Sequence, residues 1–472
     1  MKTTKNKKIF WTLIILSVCL TLFMLLFFRI DSDYFWHIKA GEEMFKTGIL
    51  KEDIFSWIVN GKYWMSHEWG FEIIIYSLKV LFGNYHVFIY SFLCLLGLLL
   101  FLFITNKNNY MKNIPFTLLW YLLFFLLMIN YLQARPHLLS FIFLASTIYV
   151  LYDLYKNQDS KKIYLLPLIT IIWSNVHGGS SNLPYLFCLL FIVGGIFSFN
   201  KSKIEAKRIS KKQFSKYFVV MLLCMGAVLI NAHGVKMFIY PYLNMMDSTM
   251  INNISEWQNT SLNYIQHYLY FILLLVVIFT MLFSKKKIEF IDLLLLGVGT
   301  YLGLKSIRFW IFTYIIMSYV IFNYVSFRQF DKGTKEVILI FSVLLFGLFL
   351  SNSKHFLNIK YCDILNKELV SIIKKERPER LFNMYDYGGE LIYNDIPVFI
   401  DGRADLYSKY NYKDYLKISE LDGDYVKLID KYNFDYFLVS KKYPINTYLK
   451  YNDSYEVIYK NKYLLLYKKD KS

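Results

Sequence analysis

The stretch IFWTLIILSVCLTLFMLLFF, residues 9–28, followed at once by RIDSDYFWH, residues 29–37, decides the fold. Its first part is apolar and about long enough to cross a bilayer as one helix, which takes roughly 20 residues. No small-residue cleavage site follows, so we expect a retained anchor rather than a removed signal peptide. The second part puts two carboxylates and a histidine at the predicted membrane surface, where ionisable groups are costly and therefore candidate functional groups.

Composition extends this expectation to the whole chain. Of the 472 residues, 56% are hydrophobic and 19% aromatic, and the mean hydropathy is +0.35. The apolar residues form long blocks, which is typical of an α-helical polytopic membrane protein. The net charge of +18 would suit nucleic acid, but in the apolar two-thirds of the chain most lysines and arginines lie in short loops and set topology, so no nucleic-acid partner is predicted. The five cysteines show no C-x-x-C spacing, so neither a disulfide framework nor a zinc site is implied.

Hydropathy predicts about eleven membrane-spanning helices. The predicted spans are 9–28, 86–105, 115–130, 138–155, 163–176, 183–199, 217–232, 267–283, 288–304, 309–326 and 336–351. Basic residues cluster in every second connection, from Lys2–Lys8 to Arg328–Lys335, which predicts a multi-pass plasma-membrane protein with a cytoplasmic N-terminus. The other connections, 29–85, 131–137, 177–182, 233–266 and 305–308, are expected on the outer face. Within the first of them, the short apolar segment 69–82 is expected to lie in the interface as a helix.

The composition becomes that of a soluble domain near residue 352. We therefore predict an α-helical transmembrane domain over 1–351, with a large first outer loop at 29–85, and an extracytoplasmic α/β domain over 352–472. In the second domain, 434–440, 455–459 and 462–467 are predicted as strands and 412–429 as helix. Residues 397–400 resemble a buried strand that runs into the polar turn DGRAD. A structural Asp–Arg salt bridge is the simpler interpretation of that turn, and contact with an acceptor glycan is the alternative.

Unusual polar residues converge on the predicted outer face. Asp31 and Asp33 follow the first helix; Asp33 could cap a helix that begins at Tyr34, or either carboxylate could serve as a general base or a metal ligand. The remaining candidates line outer helix ends and loops: His37, His67, Glu68, Arg135, His137, Asn175, His177, Lys305 and Arg308. Any one cation there could simply extend to lipid headgroups. Together they suggest one shared site, with a cationic pocket for a lipid phosphate.

Seven motifs, in their order and spacing, resemble the GT-C glycosyltransferase superfamily, as found among bacterial polytopic membrane proteins. They are DSDYFWH (31–37), DIFS (53–56), WMSHEW (64–69), ARPH (134–137), WSNVHGG (173–179), YDYGGELIY (385–393) and VFIDGRADLY (398–407). The resemblance implies sugar transfer on the outer face, from a polyprenyl-phosphate donor to a hydroxyl or amine of an envelope glycan, lipid or protein. It also implies a catalytic aspartate in the first outer loop, where Asp31 and Asp33 are the matching positions. We expect Asp33, preferred over Asp31, to be the base, and Arg135, Arg308, Lys305 or His177 to stabilise the leaving phosphate.

The cofactor question stays open at this point. GT-C enzymes that use polyprenyl-monophosphate donors generally need no metal, whereas oligosaccharyltransferases with pyrophosphate donors use a divalent cation. Since D-S-D has the form D-x-D, Asp31 and Asp33 would be the ligands if a cation binds. Two other classes also fit a polytopic chain: a lipid or glycan transporter, and a non-catalytic glycan-binding protein of envelope assembly. A transporter is expected to show repeated halves with interrupted helices at mid-membrane, neither of which the sequence shows.

Overall fold

The structure, a computed structural model, describes residues 2–325 and 365–470. In the first segment the helices are α1 (Lys2–Met24), α2 (Ser32–Thr47), α3 (Trp69–Phe82), α4 (His86–Lys112), α5 (Ile114–Met128), α6 (His137–Lys156), α7 (Leu166–Val176), α8 (Leu183–Ile196), α9 (Lys211–Val228), α10 (Val235–Met246), α11 (Ser248–Asn253), α12 (Tyr268–Phe283), α13 (Phe290–Lys305) and α14 (Trp310–Val320). Its strands are β1 (Phe199–Lys201), β2 (Ile204–Ala206) and β3 (Ile288–Glu289).

The second segment mixes strands and helices. Its strands are β4 (Leu381–Asn383), β5 (Tyr436–Ser440), β6 (Tyr455–Lys460) and β7 (Leu464–Lys469). Its helices are α15 (Lys367–Glu376), α16 (Gly388–Tyr393), α17 (Ala404–Tyr407), α18 (Tyr412–Glu420), α19 (Tyr425–Tyr432) and α20 (Ile445–Lys450).

Every predicted span up to residue 325 corresponds to a helix, and the predicted interface segment 69–82 is α3. Within the described residues, four stretches are long and apolar enough to cross a membrane: Phe10–Phe27, Trp69–Lys112, His137–Lys156 and Gly178–Ile196. The predicted span 336–351, the basic group at 328–335 and the domain boundary at 351 lie outside the described residues. The number of spans and their orientation therefore stay predictions.

The chain divides into two compact units. The helical unit contains residues up to Arg29, Phe82–Met246 and the described residues from Ile254 to 325. The α/β unit contains Ile30–Leu81, Asp247–Asn253 and the described residues from 365 onward. The sequence analysis assigned the loop 29–85 to the transmembrane domain, whereas the structure groups nearly all of it with the C-terminal part of the chain.

In the helical unit, α6 is the central helix and packs against α4, α7, α8 and α14. Small residues such as Ser140 and Ala145 are fully buried on it, which lets neighbouring backbones approach closely. Its hydroxyls are satisfied locally, as where Thr147 Oγ1 donates to Phe143 O at 2.8 Å. This central position brings the first residue of α6, His137, to one end of the bundle where several connections meet.

The α/β unit contains a four-stranded sheet in the order β4-β5-β7-β6. Strands β4 and β5 are parallel, and the other pairs are antiparallel. The predicted helix 412–429 is in fact two helices, because Leu421 (φ 58°) and Gly423 (φ 57°) turn left-handed between them. The buried segment 397–400 is not a strand of this sheet; its one pairing is an isolated bridge from Val398 to Ser56.

Candidate functional site

A pocket of about 220 Å³ lies in the helical unit, at the end of the bundle where α6 begins. The residues that line it come from the connection before α6, the turn after α7, the loop before α12 and the turn between α13 and α14. They are Tyr131, Gln133, His137, Phe141, His177, Ser180, Ser255, Glu256, His267, Ile307, Arg308, Phe309, Trp310 and Phe312. Three histidines, one arginine and one glutamate thus meet around a largely aromatic wall.

The central polar contact of this pocket joins Arg308 to His177. Arg308 Nη2 lies 3.1 Å from His177 Nε2, and the guanidinium also lies 5.4 Å from the centre of the Trp257 ring. His177 itself is buried, and its Nδ1 lies 2.6 Å from Ser140 Oγ on α6. Trp173 on α7 donates its indole N–H to the same Ser140 oxygen at 2.8 Å. The imidazole is therefore held from both sides and fixes the position of Arg308.

These contacts determine the protonation of His177. A guanidinium can only donate hydrogen bonds, so Nε2 of His177 must accept and carries no proton. The ring proton is then on Nδ1 and is donated to Ser140 Oγ. The imidazole is neutral, and among the described residues no carboxylate forms an ion pair with Arg308. The positive charge of Arg308 is thus positioned without being neutralised.

Arg135 and Glu256 form the second polar pair at this end of the bundle. Arg135 Nη1 lies 3.3 Å from Glu256 Oε1, and both side chains are partly exposed. The backbone around them is held as well, because Ser306 Oγ donates to Glu256 O at 2.8 Å and Tyr90 OH donates to Arg135 O at 2.9 Å. The charge of Arg135, unlike that of Arg308, is compensated.

Three predicted candidates in the helical unit do not line the pocket: Arg135, Asn175 and Lys305. The amide of Asn175 donates to Ile171 O at 2.7 Å and to Ile230 O at 2.9 Å, so it ties α7 to the chain after α9. Lys305 is exposed at the end of α13. Conversely, sequence reasoning did not select His267 or Ser140. His267 stands beside an apolar helix and Ser140 inside one, so neither shows a local signal.

The remaining predicted candidates lie in the α/β unit, where the two aspartates exchange the roles expected for capping. Helix α2 begins at Ser32, and its cap is Asp31, whose carboxylate accepts from Tyr34 N at 3.2 Å. The expectation that Asp33 caps a helix beginning at Tyr34 is therefore wrong. Asp33 lies in the first turn of α2, where the exposed N–H groups and the helix dipole favour a negative charge.

The segment 29–85 also contains a chain of histidines and carboxylates. His37 Nδ1 lies 3.3 Å from Glu72 Oε1, and its Nε2 lies 3.5 Å from Glu68 Oε2. His67 continues the chain, with Nε2 3.5 Å from Glu68 Oε1 and Nδ1 3.8 Å from Asp405 Oδ2. Burial alone would lower the pKa of His67, but the nearby carboxylates of Glu68 and Asp405 outweigh it and raise that pKa. His37, His67 and Glu68 thus lie together, and Glu72 contacts the same chain.

The turn DGRAD contains the predicted Asp–Arg salt bridge in a larger form. Arg403 is 2% exposed; its Nη2 lies 2.7 Å from Asp401 Oδ2, and its Nη1 lies 2.6 Å from Asp53 Oδ1. Tyr407 OH adds a 2.5 Å hydrogen bond to Asp401. The aromatic rings of Trp64 and Phe55 cover the guanidinium at 4.6 and 5.1 Å. The motifs DIFS and VFIDGRADLY are therefore joined by one buried ionic cluster.

Comparisons with known proteins agree with this architecture at the level of the fold. No family model matches the chain, and no curated protein matches it in sequence. It is similar to the crystal structure of the Archaeoglobus fulgidus oligosaccharyltransferase tethered with an acceptor peptide containing the NVT sequon, with a TM-score of 0.53 and 11% identity over 91% of this chain and 69% of that one. The chain has a GT-C fold. The apo form of the same enzyme matches with a TM-score of 0.48 and 9% identity, over 91% of this chain and 70% of that one.

This GT-C fold raises the question of a divalent cation, because it is shared with an oligosaccharyltransferase. Among residues 2–325 and 365–470, no three His, Cys, Asp or Glu side chains are arranged as metal ligands would be. Asp31, one of the two predicted ligands, uses one carboxylate oxygen to accept the hydrogen bond that caps α2. Asp31 and Asp33 are therefore not assigned to a cation site.

Proposed function

We propose that this chain is a membrane glycosyltransferase that moves a sugar from a polyprenyl-phosphate-linked donor to a cell-envelope acceptor on the outer face. The observation that carries the proposal is Arg308, a cation held by a neutral histidine at the wall of a pocket. A positive charge kept in place without a carboxylate suits an anionic ligand. The GT-C fold supplies the reaction class, since it is the fold of the similar oligosaccharyltransferase.

In the proposed mechanism Arg308 is the residue that binds the donor phosphate. Arg308 binds the phosphate of the donor and stabilises the charge that develops as the bond between the anomeric carbon and the phosphate oxygen breaks. His177 and Ser140 keep the guanidinium in position before the donor arrives, so little reorganisation is needed during the reaction. Arg135 and His137, at the same end of the bundle, are proposed to contact the donor headgroup.

The proposed general base is an aspartate at the start of α2. Because Asp31 caps α2, Asp33 is the better candidate. The acceptor hydroxyl or amine attacks the anomeric carbon and transfers its proton to the Asp33 carboxylate, while the electron pair of the broken bond remains on the phosphate. His37, His67 and Glu68 are proposed to bind the acceptor or to support Asp33. The acceptor is a hydroxyl or amine of an envelope glycan, lipid or protein; the similar archaeal enzyme was crystallised with an acceptor peptide.

The test starts from the full chain purified in lipid nanodiscs. Lipids that co-purify are extracted and identified by mass spectrometry, and polyprenyl-phosphate sugars are expected among them. Synthetic polyprenyl phosphates that carry a hexose, an N-acetylhexosamine or a pentose are then offered with an envelope extract as acceptor, and release of polyprenyl phosphate is measured.

The base assignment is tested with substitutions in the same assay. Asp33→Ala and Asp33→Asn should lower the rate by about 10²- to 10⁴-fold, as expected for loss of a general base. Asp31→Ala should instead cost about 0.5–2 kcal/mol of stability through the lost cap. Glu52→Ala, which removes an exposed carboxylate of the same segment, is the matched control. Full transfer activity in both aspartate variants would refute the assignment, and vectorial transport of the lipid without a transfer product would refute the function.

A further inference from the structure

Gly402, in the turn DGRAD, stands directly against the carboxylate of Asp33. A Cβ atom built on Gly402 would lie 1.7 Å from Asp33 Oδ1 and 2.7 Å from its Cγ, far inside van der Waals contact. The backbone of Gly402 has no positive φ, so its conformation alone would accept any L-residue. The space that a side chain would need is therefore the space that the Asp33 carboxylate occupies.

A buried indole N–H faces the same space. Trp36 Nε1 lies 3.0 Å from the position of that Cβ, and the Trp36 side chain is 5% exposed. Among the described residues this N–H has no hydrogen-bond partner. The ring is fixed by stacking on His37, with ring centroids 3.6 Å apart. The Trp36 indole N–H and the Asp33 carboxylate therefore both border the space beside Gly402.

The turn that contains Gly402 is held on both sides. Its neighbours Asp401 and Arg403 belong to the buried ionic cluster with Asp53. The carbonyl of Gly402 itself accepts from Tyr385 OH at 3.0 Å. Because this turn cannot shift easily, the gap left by the missing side chain has a fixed position and shape.

We propose that Gly402 is a positioning residue for Asp33: its missing side chain forms the recess that sets the orientation of the catalytic carboxylate. The inference rests on the proposed function, because it takes Asp33 as the base. The proposed role accounts for the glycine of the DGR sequence, which the salt bridge between Asp401 and Arg403 does not explain. The ionic cluster holds the turn, and the glycine at its centre admits the carboxylate of another motif.

The contact is tested by a stability cycle that needs no substrate. Gly402→Ala should lower the thermal unfolding midpoint of the full chain by roughly 2–10 °C, as expected for overpacking a closed site. In an Asp33→Ala background the same substitution should cost almost nothing, because the clashing carboxylate is gone. Equal losses in the two backgrounds would overturn the proposed contact.

Gly389→Ala is the matched control. A Cβ on Gly389 would meet the backbone carbonyl of Ser32 at 2.0 Å, which no side-chain substitution removes. This variant should therefore lose the same number of degrees with Asp33 present or absent. A cycle that shows coupling at Gly402 and none at Gly389 identifies the Asp33 carboxylate as the group that needs the recess.

The catalytic role is tested separately, by measuring kcat and KM with the polyprenyl-phosphate sugar that supports turnover. At a temperature where the variant is folded, Gly402→Ala should lower kcat by about 10²-fold, because a misplaced group loses its near-attack geometry, while the KM for the donor stays unchanged. Gly226→Ala, at a glycine where a Cβ would meet no atom within 4 Å, should keep its kcat. An unchanged kcat in Gly402→Ala would overturn the positioning role even if the stability cycle shows coupling. Full activity in Asp33→Ala would instead refute the base assignment, with the contact itself still established by the cycle.

Discussion

Two arginines, Arg403 buried in the α/β unit and Arg308 half-buried in the helical unit, show how differently this chain treats a positive charge. Arg403 is clamped between Asp401 and Asp53, with ion-pair distances of 2.7 and 2.6 Å, and two aromatic rings cover it. Arg308 is held by the neutral imidazole of His177 at 3.1 Å and lines a pocket. The first charge is neutralised within the fold, and the second is left available to a ligand. The two arginines thus differ both in burial and in charge compensation, and the uncompensated one is the proposed phosphate-binding residue.

The largest effect is expected from Arg403→Met. Removing this arginine leaves Asp401 and Asp53 buried without their counter-ion, and breaking a buried ion pair by one partner typically costs about 3–5 kcal/mol. We expect loss of the folded α/β unit or a large decrease of the denaturant midpoint, measured on the purified full chain. The triple variant Arg403→Met, Asp401→Asn, Asp53→Asn removes all three charges and should recover part of the loss. If the single variant were as stable as the native chain, the structural role of the cluster would be wrong.

Arg308→Ala should give the converse result, a loss of rate with little loss of stability. Removing one group that stabilises charge in a transition state costs about 10²–10³-fold in kcat. Arg308→Lys keeps the charge but not the bidentate geometry and should be intermediate. Arg208→Ala, an exposed arginine of the same unit, is the matched control and should turn over normally. A stability loss in Arg308→Ala as large as that of Arg403→Met would show that both arginines are structural.

The comparison also shows what the sequence could predict. Long apolar runs predicted most helices of the first 325 residues, because lipid-facing and core-facing positions are both apolar in such helices. Helices α10 and α11, in the connection 233–266, were not predicted. The motifs identified which residues are unusual, and the structure brings His177 together with Arg308, and Asp53 with Arg403. These partners are 131 and 350 positions apart, respectively, so no local pattern could pair them.

Local errors had local physical causes. The α2 cap was assigned two residues too late, because Asp31 and Asp33 are equally good capping residues and only the backbone decides between them. The strand β4 is three residues long and shows no alternation that a pattern could detect. The predicted helix 412–429 hid a break, because Leu421 carries no signal for the left-handed conformation it adopts. The contact between Ser140 and His177 was not predicted, because Ser140 looks like an ordinary core residue in the sequence.

A pH-dependent effect is expected at His67, which differs from His177 in facing carboxylates instead of a guanidinium. Burial disfavours its charged form, but Glu68 and Asp405 raise its pKa in the folded state above the ordinary value of about 6.5. Protonated His67 therefore contributes stability that is fully present below that value and is lost as the pH rises through the folded-state pKa. His67→Gln should destabilise the chain more at pH 5.5 than at pH 9, measured by thermal unfolding at both pH values. A loss that is equal at the two pH values would show that the imidazole is not charged in this cluster.

The smallest effect is expected at Lys305, three residues before Arg308. Sequence reasoning placed both cations at one phosphate site, but the structure leaves Lys305 exposed at the end of α13 and outside the pocket lining. An exposed ammonium is well solvated and screened by salt, so its interaction with a bound phosphate is weak. Lys305→Ala should change kcat less than about twofold, with any effect on donor KM disappearing at high ionic strength. A loss comparable with that of Arg308→Ala, persisting in high salt, would mean that the phosphate site extends beyond the pocket to the end of α13.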